Sequence, residues 1–134
     1  MRRAFTVSIE PVAKGRPRAF GNRMVTPAKT RKYEAAFAQL AADCEPRAPI
    51  EGAIAITLTF YLKRPKRLMR KKDPSGRLPC DRRPDLDNLV KAAMDALKRW
   101  WRDDAQIANI TASKFYTEKD GLPRVEVVVD DEEN

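Results

Sequence analysis

Apolar residues recur along the chain with two periods, and the change from one to the other marks out its elements. Phe5, Val7 and Ile9 alternate with polar neighbours, predicting a half-buried strand over residues 5–10 that Pro11 ends. Ile54, Ile56, Leu58, Phe60 and Leu62 repeat that period through Ala53 to Leu62, the clearest strand in the sequence. Between them, Thr26-Pro27 reads as a helix start, with Thr26 as N-cap and Pro27 in the first helical position. Tyr33, Phe37, Leu40 and Ala41 follow as one apolar face, closed by Pro46 and Pro49. From Leu86 the spacing turns helical again, through Leu89, Val90, Ala93, Met94 and Leu97. Residues 106–117 and 123–130 then read as an antiparallel strand pair joined by the turn EKDG. The order strand, helix, strand, helix, strand, strand predicts an α+β fold: a mixed sheet with two helices on one face.

Length changes this picture little, because 134 residues make one domain, spanning 1–134, with a single core. Charge changes it more. Lys and Arg outnumber Asp and Glu by 27 to 19, and the residues from Asp130 to Asn134 form an acidic tail, expected to fray, that leaves the rest still more basic. Such an excess attracts polyanions over about 8 Å at physiological salt, although it also serves mere solubility. The stretch KGRPRAFGNRMVTPAKTRK reads as a loop whose Lys14, Arg16, Arg18 and Arg23 face water or phosphate. Residues 63–83 hold ten bases against Asp73 and Asp81 without apolar periodicity, and read as a mobile basic loop contacting DNA. There is no histidine, and Cys44 and Cys80 are far apart, which excludes histidine bases and argues against a zinc site. With no signal-peptide pattern and no long apolar span, a reducing, cytoplasmic setting is expected, away from membranes.

Candidate chemistry concentrates in RRPDLDNLVKAAMDAL and the following WWRDDAQI. On a helical projection Asp87 and Lys91 lie about 40° apart and one turn from each other. Asp85 would lie about 160° from Asp87 in a regular helix, so the two converge only if Asp85 sits at or before the helix start, which Pro84 favours. Acids at a helix N-terminus also have a plain explanation as dipole partners and caps. Against it stand the basic surroundings, Lys91, and a second acid pair, Asp103-Asp104. Mg²⁺ prefers oxygen ligands, often one or two carboxylates with substrate phosphate, and such ions generate the attacking hydroxide in phosphodiester cleavage. Lys91 would add positive charge at the phosphate or orient the water. Arg82 and Arg83 are candidate phosphate clamps, or simply balance charge; Trp100 and Trp101 are expected to pack in the core or against a second copy. Asp95 reads as a solvated helix-face residue, and Cys80 has no assigned role.

The block P-D-L-D-N-L-x-K-A-x-x-D-A-L followed by D-D-A-Q resembles the signature of RusA-type Holliday-junction resolvases. The upstream K-G-R-P-R and T-P-x-K-T-x-x-Y-E are similar to the phage-type branch, so the likeness runs from about residue 11 to 110. It implies that Asp85, Asp87 and Asp104 bind metal, that Lys91 is the catalytic lysine, and that Asn88 is the motif asparagine, placed against DNA. It further implies Mg²⁺ dependence, no small-molecule cofactor, a homodimer, and paired nicks across a DNA four-way junction in recombination or repair. KRWWR stands where the family has a glycine-containing connection. Two other classes fit the charge: a non-catalytic DNA-binding module, which would need no metal, and a flap- or fork-selective nuclease. A nuclease built on acid-x-Lys is a poor match, since no such tripeptide occurs.

Overall fold

In a computed structural model, which describes residues 1–131 apart from the Arg18 side chain, a nine-residue central strand organises the chain. This strand, β4 (Ile54–Leu62), turns Ile54, Ile56, Leu58 and Phe60 into the core, while Thr57 on the other face is exposed. Chain order gives β1 (Arg2–Val7), β2 (Arg18–Phe20), β3 (Arg23–Val25), α1 (Ala28–Ala41), β4, β5 (Leu78–Pro79), α2 (Leu86–Ala96), β6 (Ile107–Tyr116) and β7 (Arg124–Asp131). Five strands form one mixed sheet in the order β1-β7-β4-β6-β5, with β4 and β6 parallel and the other neighbours antiparallel. The α+β class therefore holds, with a hairpin and a short strand added to the expected order. Tyr33, Phe37 and Ala41 of α1 and Leu89, Ala92, Ala93 and Ala96 of α2 bury against the inward residues of β4 and β7. Three alanines on the buried stripe of α2 allow its backbone to approach its neighbours closely.

The first strand covers Arg2–Val7 where the alternation predicted residues 5–10, and four further expectations are corrected. The strands at 106–117 and 123–130 exist but do not pair with each other, because β4 lies between them. A strand buried this thoroughly needs a partner on each edge, and the segment after β6 is long enough to step across the roughly 10 Å of two strand spacings. The stretch after Lys14, read as a loop, contains the β2–β3 hairpin, turned by Gly21-Asn22 with Gly21 at φ 60. That is the two-residue II′ geometry, with glycine first. Third, α1 starts one residue late: Pro27 is the N-cap and Thr26 makes no cap, while Leu40 faces solvent. Fourth, Asp130 and Asp131 belong to β7, and Asp131 accepts a hydrogen bond from the Met1 ammonium at 2.7 Å; the rest of the expected acidic tail, 132–134, lies outside the described residues.

The basic segment 63–83 carries a short 3₁₀ turn and β5. Arg64 is 5% exposed, and its guanidinium donates to the carbonyls of Leu68, Gly76 and Pro74 at 2.8, 3.0 and 2.6 Å. It therefore serves as an internal brace of the segment, not as a phosphate contact.

Candidate active site

The site is assembled at the ends of two elements. At the start of α2, Asp85 occupies the N-cap position with extended dihedrals (φ −67, ψ 139), as convergence with Asp87 requires. Its backbone carbonyl accepts from Leu89, but among the described residues its carboxylate accepts no cap hydrogen bond. The turn before it, with a cis Arg83–Pro84 peptide, hangs on Lys114 of β6, whose ammonium donates to the carbonyls of Arg82 and Pro84 at 2.5 and 2.8 Å. Cys80 is buried beside it, its thiol donating to the Arg82 carbonyl at 3.4 Å. Asp87 is exposed in the first turn, one oxygen accepting from the Asn88 backbone N–H at 2.9 Å.

Asp104 comes from the turn before β6. Asp103 caps that turn by accepting from the Ala105 N–H, and Gln106 closes a capping box by accepting from the Arg102 and Asp103 N–H groups. The Gln106 amide also donates to the carbonyls of Ile50 and Gly52, tying the turn to the segment before β4. Asp104 is left facing outward, oriented by the buried Trp101, whose indole N–H donates to it at 2.9 Å. Trp100 stacks on Phe5 with centroids 5.2 Å apart, so both tryptophans pack inward as expected.

A cleft of about 530 Å³ brings Asp104 and Lys91 together, walled by Val90, Met94, Ile107 and Ile110. Asp85 and Asp87 stand at the α2 N-terminus, Asp87 one helical turn from Lys91. Among the described residues, no three potential ligand side chains form a group that could hold a metal ion. Like charges without a cation gain nothing by crowding, and exposed carboxylates spread into water. The donor set itself fits a hard ion: three exposed carboxylates, all oxygen, with Asp87 and Asp104 each using one oxygen in the hydrogen bond described.

The predicted DNA contacts divide. Arg16, Arg82 and Arg83 are exposed, whereas Asn88 is half-buried and its carbonyl accepts from the Lys14 N–H. The Arg18 side chain lies outside the described residues. Lys14 does not face phosphate: its ammonium bridges Glu34 on α1 at 3.1 Å and Asp95 on α2 at 2.8 Å. Burial pulls its pKa down, but hydrogen bonds and charge from Asp95 and Glu34 outweigh this and hold it above the usual lysine value. Asp95, expected to be merely solvated, is thus half of a helix-to-helix clamp. Lys114, Trp101 and Gln106 escaped the sequence reading as positioning residues. For Gln106 a signal was present, since D-x-x-Q is a capping-box spacing.

The sequence profile described as endodeoxyribonuclease RusA matches residues 8–130. The chain belongs to the RusA endodeoxyribonuclease family. Within similar sequences, the uncharacterized protein YqaN of Bacillus subtilis (strain 168) is 36% identical over 135 residues, 93% of each chain. The crossover junction endodeoxyribonuclease RusA of Escherichia coli (strain K12) is 44% identical over 54 residues, 39% of this chain and 43% of that protein. The protein of the same name from Enterobacteria phage 82 is 43% identical over the same shares. The chain thus aligns with less than half the length of the RusA proteins named for junction cleavage. RusA membership makes the chain a nuclease-family protein, and among the described residues no helix is long and apolar enough to cross a membrane.

Proposed function

We propose that this chain is a Mg²⁺-dependent endonuclease that resolves Holliday junctions by paired nicks, working as a homodimer in the cytoplasm. The observation that carries the reading is the cleft uniting Lys91 with Asp104 beside the acid-bearing start of α2, in a chain matched by the RusA profile over 8–130. Asp85, Asp87 and Asp104 would hold the ion; when bound, it supplies Lewis acidity and a more acidic water. Lys91 sets a positive charge against the scissile phosphate, and Trp101 holds the Asp104 carboxylate in place. The exposed Arg16, Arg82 and Arg83, with the other exposed bases of 63–83 but not the buried Arg64, grip neighbouring phosphates. A two-fold dimer presents two equivalent sites to a substrate of matching symmetry.

The test compares nicking of synthetic four-way, three-way and linear DNA, with Mg²⁺ and with chelator. Wild type should nick the four-way junction only with the metal, while Asp85→Asn and Asp87→Asn should bind it and leave it intact. Wild-type cleavage by either variant removes the site assignment. Metal-independent binding without any cleavage leaves a DNA-binding module, and equal cutting of three-way DNA leaves a broader branch nuclease.

A further inference from the structure

The β2–β3 hairpin forms a two-stranded sheet of its own, joined to no other strand among the described residues. Its register sets Phe20 opposite Arg23 and Ala19 opposite Met24, so Phe20 and Met24 point to opposite faces of the ribbon. Both are bare, with Phe20 67% and Met24 68% exposed. An isolated ribbon is marginal in water, and large apolar residues on both faces add nothing to the fold of one chain.

The root of this hairpin is nonetheless fixed. The Gly15 N–H donates to the buried Thr30 hydroxyl at 3.0 Å, and a Cβ at Gly15 would meet Pro27 at 2.9 Å. Around it the charge is of one sign: from Pro11 to Tyr33 there are seven bases and no acid. Lys14 is spent on Glu34 and Asp95, but Arg16, Arg23, Lys29, Arg31 and Lys32 are exposed. The groove under the hairpin, about 960 Å³, shares its Lys14 and Asp95 walls with the cleft that holds Lys91 and Asp104.

We propose that this hairpin is an apolar wedge for DNA, with Phe20 inserting at an unstacked base step beside the cleavage site. This rests on the reading of the chain as a branched-DNA nuclease. A polyanion satisfies the five exposed cations, and the π-face of a base covers the aromatic ring, two demands that an apolar protein surface does not meet together. Side chains of this kind part base steps when a basic surround holds the backbone. The open centre of a branch supplies such a step at low unstacking cost.

The experiment places 2-aminopurine at the branch point of a four-way junction and reads its fluorescence on binding in Ca²⁺, with no need for cleavage. Wild type should raise the signal. Phe20→Ala should lose the rise and weaken junction binding at least about fivefold while leaving linear-duplex affinity unchanged, and Phe20→Tyr should restore both. An unchanged rise with wild-type affinity in Phe20→Ala overturns the wedge. If wild type prefers junctions yet never raises the signal, the wedge alone fails; if wild type shows no preference for branched DNA, the underlying nuclease reading fails first. Phe20-dependent binding to phosphatidylserine vesicles, without effect on DNA, would reassign the hairpin to a lipid surface and overturn the proposal.

Discussion

Replacing Gln106 by Glu changes one atom type at the point where the Asp104 turn is tied to the rest of the fold. The native amide accepts from two backbone N–H groups at 2.9 and 3.0 Å and donates to the Ile50 and Gly52 carbonyls at 2.8 and 3.0 Å. Glutamate keeps the accepting half. The donating half becomes an oxygen facing two carbonyl oxygens, so two bonds worth about 0.5–1.5 kcal/mol each are lost and repulsion is added. Stronger acceptance by the charged oxygen offsets part of this, leaving a net cost of about 2 kcal/mol. For a domain of this size that corresponds to a fall in Tm of about 7 °C. Urea unfolding at neutral pH should show the midpoint lowered with an unchanged slope. The new carboxylate is disfavoured when charged, so its folded pKa rises above the ordinary value of about 4.3. Acidification through that raised pKa should therefore return part of the loss, because the protonated group can donate once. An unshifted midpoint at neutral pH, or no recovery in acid, would refute the bridging role given to Gln106.

Other outcomes follow from neighbouring contacts. Lys114→Met removes both bonds to the Arg82 and Pro84 carbonyls; one is exposed, so about 1 kcal/mol of stability should be lost. Calorimetric titration of that variant with Mn²⁺ should show weaker binding, because the turn presenting Asp85 is freed, whereas unchanged affinity would reduce Lys114 to a packing residue. Glu118 is held below its ordinary 4.5 by hydrogen bonding from Arg124. The stabilisation it contributes is therefore present above pH 4.5 and lost as pH falls through the lowered folded value, so Glu118→Gln should flatten unfolding stability across that acid limb. Junction affinity should fall with salt by a log–log slope of about −0.9 for each phosphate neutralised, and a flat response would place the basic segments away from DNA.

How much of this was legible in the sequence depended on whether local pattern or tertiary pairing decided the outcome. The β4 strand and α2 announce themselves because each buries a face at its own period, and the structure places them within a residue of expectation. The inward packing of Trp100 and Trp101 was equally readable from their bulk. The β2–β3 hairpin was missed because its strands are three residues long, each an arginine followed by two apolar residues, too short for alternation to show; Gly21-Asn22 was the signal that remained. The β6–β7 pairing failed differently. Antiparallel strands linked by a turn-like segment look the same in sequence whether they touch or flank a third strand, and only the depth of burial of β4 decides. Lys14 and Arg64 lie inside basic runs that read as solvent-facing, yet their partners come from other elements or from loop carbonyls.

The acids at the candidate site divide by what their oxygens do. Asp103 and Asp104 are adjacent and both exposed, yet Asp103 spends its carboxylate capping the turn, while Asp104 gives one oxygen to the Trp101 indole N–H and lines the cleft with Lys91. The same test applied to Asp85 weakens the plain structural explanation for the pair on α2. An N-cap aspartate is worth about 1 kcal/mol when its carboxylate takes a helix N–H, and the Asp85 carboxylate takes none among the described residues. What remains for it is the helix-dipole contribution of about 0.3–1 kcal/mol, which any anion near that end would receive. The bases sort in the same way: Lys14 and Lys114 are committed to carboxylates and carbonyls within the fold, while Lys91 stands exposed in the cleft. A fold that needed these charges only for its own stability would use them as it uses Asp103 and Lys14. Asp85 and Lys91 instead stay exposed, as does Asp104 apart from the oxygen that accepts from Trp101, which is what the proposed phosphate and cation would require of them.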